Sequence, residues 1–340
     1  MPRTGWLAAL AGLIGALAPA AVHADAVADF YRGRTVNILL GTGPGATYDL
    51  YARVLAIHMG RHIPGEPAMT VQYMPGAGGL KATNYLYNAA PKDGATIATL
   101  FGSLPQLQML RPEAAKYDAL KFSWLGAFSD NISVVIVNSN APALTLADAM
   151  RKEVVVGSIG KGNETYGFPA LLNSALGTKF RIISGYPSGA EIYKAMESGE
   201  VHGYAPVWLS IVTGKAAWLK EKKIAVLVQG GLSKTPDLPD VPLALDLAKT
   251  DEEKALLRFS AAATPIGRAA LGPPDLPADR RAALEKAFAD TVSDPVYVAD
   301  AKSKKLTVTP MSKDQIVAAV RQIVQTPPAL LAKLKVALGH

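Results

Sequence analysis

Short β-branched apolar runs alternate along this chain with longer stretches in which apolar residues recur every 3 to 4 positions, a pattern that predicts strands interleaved with amphipathic helices. Val36, Ile38, Leu39 and Leu40 form the first run, read as a buried strand. It breaks at Gly41, Gly43 and Gly45, with Pro44 between the last two, and a helical pattern follows through Leu50, Val54 and Ile57. The motif then repeats: Met69 to Tyr73 as strand, Pro75-Gly76-Ala77-Gly78-Gly79 as turn, Leu80 to Asn88 as helix. Two such turns about 30 residues apart, as in adjacent βαβ units, belong at one edge of a parallel sheet. Their backbone N–H groups, with the positive ends of the following helices, predict a pocket for a small carboxylate.

The alternation continues. Ala95 to Leu100 reads as a third strand, ending at Phe101-Gly102-Ser103 with a hydroxyl at the same edge, and Val134 to Val137 as a fourth. A second series opens with Val154 to Val156, the loop Gly157 to Glu164 and a helix from Tyr166 to Leu176. Arg181 to Ser184 and the turn Gly185-Tyr186-Pro187-Ser188-Gly189 lead to a helix over Ala190 to Glu197, and Val201 to Tyr204 and Ile224 to Gln229 close the series. Three prolines in Pro236 to Pro242 cannot continue helix or strand, so this segment is expected to return the chain to the first series. Beyond it, Ala261 to Ala263 with Ile266 suit a strand, while Asp279 to Val292 and Ile316 to Val324 suit helices. A chain that leaves one domain, builds another and comes back crosses twice, which makes a hinge and a cleft. The expected division is residues 25–130 with 233–340 as one lobe and 131–232 as the other.

Composition refines this picture. Of the 340 residues, 49% are hydrophobic and 19% charged, enough to fill two cores. Residues 1–24 carry Arg3 as their sole charge, an apolar core from Leu7 to Leu17 and the small-residue site Val22-His23-Ala24. That is the form of a secretory signal peptide cleaved near Ala24. The net charge of +7 favours acidic small molecules, and no Lys/Arg cluster with interleaved aromatics suggests nucleic acid. Zero cysteines exclude disulfides and thiolate chemistry, in keeping with export to a bacterial periplasm.

Catalytic readings find little support. Gly41-x-Gly43-x-x-Ala46 matches a dinucleotide fingerprint by letter, but the second strand ends in Gln72-Tyr73 where that site needs an acid. His58 and His62 are four apart on a helix, yet Met59 stands where a zinc protease has glutamate and no acidic partner is adjacent in sequence. Ser103, Ser158 and Ser188 lack a nucleophile-elbow context. No metal or cofactor is expected. Binding is the economical reading; an exported enzyme and a pure interaction protein are the rivals. Thr47 suits a helix cap and Asp49 suits support of the turn, since an acid there would repel a carboxylate.

Several segments together resemble a known family: Phe30-Tyr31 before the first strand, Gly43-Pro44-Gly45-Ala46-Thr47-x-Asp49, Met74 to Gly79, Ala90-Pro91-Lys92-Asp93-Gly94, Pro236 to Pro242, and Pro274 to Leu284. They are similar to the Bug family, the TctC-type periplasmic solute receptors of tripartite tricarboxylate transporters. The resemblance implies a two-lobed α/β fold, like a type II periplasmic binding protein, acting as a monomer. It also implies a small organic anion as ligand, and transporter subunits or a sensor domain as membrane partners. By position it implies a binding set of Gly43, Gly45, Ala46, Thr47, Gly76, Ala77, Gly78, Gly79 and Ser103 in the first lobe. The second lobe would add Gly160, Lys161, Gly162, Asn163, Tyr186, Ser188 and Gly189. Three places depart from the family pattern: Ala46 where a second glycine is common, Pro206 where an aspartate is usual, and Lys161 to Glu164 where small hydroxyl residues are common. The carboxylate grip transfers; the part of the pocket that decides ligand identity does not.

Overall fold

A computed structural model describes residues 20–45 and 47–339. The expected leader therefore lies almost wholly outside the described residues, and so does Ala46. In chain order, α1 (Ala20–Tyr31) leads to β1 (Thr35–Leu40), α2 (Thr47–His58), β2 (Ala68–Tyr73), α3 (Leu80–Asn88), β3 (Thr96–Phe101), α4 (Leu104–Leu110) and β4 (Ser123–Ala127). The chain then passes to β5 (Ser133–Asn138), α5 (Leu146–Ala149), β6 (Val154–Ser158), α6 (Glu164–Leu176), β7 (Phe180–Ser184) and α7 (Gly189–Glu197). This second series continues with β8 (Gly203–Tyr204), α8 (Trp208–Gly214), α9 (Ala216–Lys220) and β9 (Ile224–Gly230). Last come α10 (Asp251–Ala261), β10 (Arg268–Gly272), α11 (Ala278–Ser293), α12 (Pro295–Ser303), β11 (Met311–Ser312), α13 (Lys313–Val324) and α14 (Pro328–Ala337).

Two mixed sheets result, one ordered β11-β4-β10-β3-β1-β2 and the other β7-β6-β8-β5-β9, each flanked by helices. Strand β3 is buried at every residue, as an interior strand covered on both faces must be. Strand β2, at the edge, alternates between exposed and half-buried positions. Helix α1 is tied to the first lobe by Tyr31, wholly buried, whose hydroxyl donates to the Gly94 carbonyl at 3.1 Å. None of the described helices is long and apolar enough to cross a membrane.

The two lobes are joined by a pair of adjacent crossovers. Arg268 N–H donates to the Ser129 carbonyl (3.1 Å), Phe128 N–H to the Arg268 carbonyl (3.0 Å), and Asn131 N–H to the Thr264 carbonyl (3.2 Å). Each connection is thus hydrogen-bonded to the other, which confines relative motion of the lobes to a bend of this short ribbon.

Three expectations are corrected. The Pro236 to Pro242 segment does not carry the chain back; it folds onto β9, where Gln229 Nε2 donates to the carbonyls of Leu238 and Val241, both at 2.8 Å. The chain rejoins the first sheet only at β10. Ala261 to Ala263 and Ile266 are not a strand. Thr250 and Glu253 form a capping box that starts α10, the helix consumes Ala261, and the strand waits until Arg268. The histidines do have acidic partners, supplied from afar: His58 Nε2 lies 2.9 Å from Asp300 Oδ2 and His62 Nε2 lies 3.0 Å from Asp294 Oδ2. They tie α2 and the turn after it to the late helices; among the described residues no cluster of metal-binding side chains forms.

Candidate functional site

Because β1 pairs in parallel with both β2 and β3, the three strands run out at one edge of the first sheet. In the second sheet β6 pairs in parallel with β7 and β8, so the loops after β6 and β7 also share an edge. These two edges face each other and enclose a cavity of about 360 Å³, within the range of small-ligand sites. Its first-lobe wall comes from Thr42, Gly45, Thr47, Tyr48 and Phe101; its second-lobe wall includes Asn163, Glu164, Thr165, Gly189, Tyr193, Tyr204 and Ser210.

Three helices present their N-terminal ends to this space: α2 through Thr47 and Tyr48, α6 through Glu164 and Thr165, α7 through Gly189 and Ala190. Each end carries free backbone donors and the equivalent of about half a positive charge. Local chemistry sets each one. Asn163 caps α6, its Oδ1 accepting from Thr165 N–H at 3.0 Å, which leaves its Nδ2 donor buried and without a partner among the described residues. Asp49, buried, accepts from Gly45 N–H (2.9 Å), Arg53 Nε (2.8 Å) and the Tyr73 hydroxyl (2.6 Å), pinning the first glycine turn to the end of β2. Asp49 therefore supports the loop, as the sequence suggested. The Gly45 amide is consequently spent within the protein and is not free for a ligand.

The expected site residues fall into distinct places. Gly45, Thr47, Asn163 and Gly189 line the cavity. Gly43 is buried beside them without lining it, and Ala46 lies outside the described residues. Gly76, Ala77, Gly78 and Gly79 have another task. All four adopt positive φ, and a Cβ added to Gly78 would lie 3.0 Å from both Cα and N of Gly162. This turn and the Gly160 to Gly162 loop meet backbone to backbone across the lobes, a close approach only glycine permits.

Ser103 Oγ sits 3.4 Å from the Gly162 carbonyl and from Glu164 Oε2, beside a second, smaller hollow bounded by α4, α6 and α10. Lys161 turns away from the main cavity, donating to the Gly339 carbonyl at 3.1 Å. Tyr186 is likewise directed elsewhere, its hydroxyl donating to Glu200 at 2.5 Å. Ser188 is buried just before α7. The second-lobe loop thus meets the cleft through Asn163, not through its lysine.

Sequence reasoning missed most of the cavity's side-chain walls, Phe101, Tyr193 and Tyr204 among them. Tyr193 lies one helical turn beyond Gly189 on the same face of α7, a spacing that was legible once Gly189 was taken as a site residue. Arg268 carried no local signal. It is wholly buried, its Nη1 donates to Asn131 Oδ1 at 2.9 Å, and its guanidinium lies 5.3 Å from the Tyr48 ring centre. Asn131 Nδ2 in turn donates to the Tyr48 hydroxyl at 3.1 Å, linking the hinge ribbon to the cavity wall. Burial pushes Tyr48, Tyr193 and Tyr204 above the ordinary phenol range, so all three hydroxyls are neutral.

The lobes are also latched directly, Thr47 Oγ1 donating to Ser210 Oγ at 2.9 Å. Ser210→Ala is expected to favour the open arrangement by about 1 kcal/mol, the net worth of one such hydrogen bond. Ligand affinity should fall less than about tenfold, measured by calorimetry, with the unliganded radius of gyration rising in X-ray scattering. An unchanged radius and affinity would remove the latch from the closing mechanism.

Two mixed α/β lobes on a paired crossover, with a cavity walled by both, make this the fold of periplasmic binding proteins. The structure of the periplasmic binding protein BugD superposes with a TM-score of 0.70 at 19% identity, covering 90% of this chain and 98% of that one. MatC from Rhodopseudomonas palustris, solved with bound malate, gives a TM-score of 0.69 at 19% identity over 90% and 99% of the two chains. In sequence, the chain is 25% identical over 253 residues to a UPF0065 protein encoded in the gbd 5' region of Cupriavidus necator, 71% of this chain and 72% of that protein. No protein-family model matches the chain. Its structural neighbours are thus Bug-type periplasmic binding proteins, the group its loop motifs resemble.

Proposed function

We propose that this chain is a periplasmic solute receptor of the Bug type, exported by its leader and acting as a monomer. It captures a small organic anion between its lobes and presents it to the membrane subunits of a tripartite tricarboxylate transporter or to a sensor. The observation that carries this reading is the convergence of three helix N-termini on one inter-lobe cavity. Their donors and dipoles favour an anion without any arginine in contact with it. The malate held by MatC, on the same fold, is the kind of ligand such a cavity suits. Closure about the hinge is the change a membrane partner would read, driven by the ligand's contacts with both lobes at once.

Thermal-shift measurements against di- and tricarboxylates, aromatic acids and nucleotides test the proposal. Stabilisation by a few carboxylate-bearing compounds is expected, with compaction in X-ray scattering. Stabilisation by nucleotides alone would favour an exported enzyme; no response to any carboxylate would leave the receptor reading without support.

A further inference from the structure

Two charges near the hinge have only neutral hydrogen-bond partners among the described residues, and they come from different lobes. Arg268 opens β10 in the returning crossover and is wholly buried. Its Nη1 donates to Asn131 Oδ1 at 2.9 Å and to Ser129 Oγ at 3.4 Å, while Nε and Nη2 are buried with no partner among the described residues. Tyr48 and Tyr51 cover it, their ring centres 5.3 and 5.4 Å from the guanidinium. Asp130, in the neighbouring crossover, feels the charge but is exposed, where solvent screens the attraction. A cation buried in this way costs stability, so folding alone does not account for an arginine here.

Glu164 is the complementary charge. It stands in the first turn of α6, on the second lobe, and lines the cavity together with Tyr48. Its side-chain hydrogen bond comes from Ser103 Oγ at 3.4 Å. Nearby lysines are engaged elsewhere: Lys161 with the Gly339 carbonyl, Lys194 and Lys215 at the rim with Glu191 and Glu197 at 2.9 and 2.7 Å. Burial raises the Glu164 carboxyl above the ordinary range; its own backbone N–H, the field of Arg268 and Ser103 Oγ pull it back. Arg268 thus reaches Glu164 through space, from behind the Tyr48 wall. One charge is fixed to the hinge and the other is carried by the opposite lobe, so opening the cleft separates them and closing brings them together.

We infer that Arg268 is a positioning residue for closure, a buried hinge charge that draws Glu164 of the second lobe toward it without contact and so biases the cleft to close. Through Asn131, whose Nδ2 donates to the Tyr48 hydroxyl at 3.1 Å, it also holds the wall between them. The attraction needs no ligand. On the receptor reading, which gives closure its purpose, the pair sets how closed the empty protein already is, and hence how much of a ligand's binding energy closure consumes.

Distances between spin labels at K116C in the first lobe and K152C in the second measure the open and closed populations of the unliganded protein; both lysines are exposed and the chain has no cysteine of its own. R268M and E164Q should each lower the closed-to-open ratio about tenfold, the worth of two opposite charges in a half-buried setting. R268K, which keeps the charge, should restore most of that ratio. The double variant R268M/E164Q should be no more open than either single variant, because each removes the same attraction. Urea unfolding of R268M should show an undiminished midpoint, since the charge removed has no ionic partner. Populations unchanged in R268M and E164Q, additive effects in the double variant, or R268K opening as far as R268M would overturn the inference. A lowered urea midpoint in R268M with lobe distances unchanged would mark the arginine as structural only. If the arginine variants fail to fold, E164Q alone decides the point. No ligand enters these measurements, so the receptor reading, tested by carboxylate binding, stands or falls separately.

Discussion

Replacing Gly267 by alanine is expected to cost more than about 3 kcal/mol of unfolding free energy, from a strained backbone and an overpacked contact together. Gly267 holds a φ of +54° in the returning crossover, and a Cβ there would lie 1.9 Å from the Ser129 carbonyl oxygen and 3.1 Å from Asp130 Cα. Both are backbone atoms of the outgoing crossover, so no side chain can swing aside. The displaced carbonyl is the acceptor for Arg268 N–H, and the strain therefore passes into the ribbon that joins the lobes. Gly199→Ala is the control: its φ is +77°, but nothing lies within 4 Å of the added carbon. That variant should cost about 1 kcal/mol, the ordinary penalty of a left-handed alanine. Urea unfolding of the two variants separates conformation from contact. If they differ by less than about 1 kcal/mol, the packed crossover is not what restricts Gly267.

Gly78→Asp is expected to weaken carboxylate binding by about a hundredfold or more while leaving the unliganded fold intact by circular dichroism. Gly78 adopts φ +66°, a conformation aspartate tolerates better than most residues. Its own lobe should therefore survive the change. What does not survive is the approach to Gly162, whose Cα and N lie 3.0 Å from the added Cβ. The substitution wedges the seam between the lobes and places a negative charge there. Calorimetry should show the loss of affinity, and X-ray scattering should show that the ligand no longer compacts the molecule. Unchanged affinity would mean that the two glycine loops need not touch for the ligand to bind.

These two positions also show how far local reading reached. The strand–turn–helix units of β1–α2 and β2–α3 were legible because each is specified by neighbours in sequence: apolar β-branched residues, then glycines, then helical periodicity. Their position at one sheet edge followed from parallel pairing. What the Gly76 to Gly79 turn does there was not legible. It was read as half of a carboxylate grip, and it meets the opposite lobe's Gly160 to Gly162 loop instead. The residues that make this contact are more than 80 positions apart, and nothing in either turn announces the other.

Strand β10 was missed for a different reason. Its sequence, Arg268-Ala269-Ala270-Leu271-Gly272, holds a charged residue and small side chains where an interior strand usually shows β-branched ones. Arg268 is tolerated because it is buried against Tyr48 and Tyr51, with Asn131 and Ser129 accepting its hydrogen bonds. That environment is assembled from two segments far from it in sequence, α2 and the outgoing crossover. Lys161 failed in the opposite direction: its loop is at the cleft, but a long flexible side chain finds whatever acceptor is near, here the Gly339 carbonyl.

By itself the sequence determined the two-lobed α/β plan and the glycine turns at the strand ends. Periodicity, turn chemistry and capping act over a few residues and can be read in one dimension. Only the tertiary structure decided which loops touch each other, which amides remain free, and that Glu164 and four aromatic rings share one cavity. Those outcomes depend on how two separately folded lobes dock about a shared ribbon, where the neighbours that set each residue's role come from the far side of the cleft.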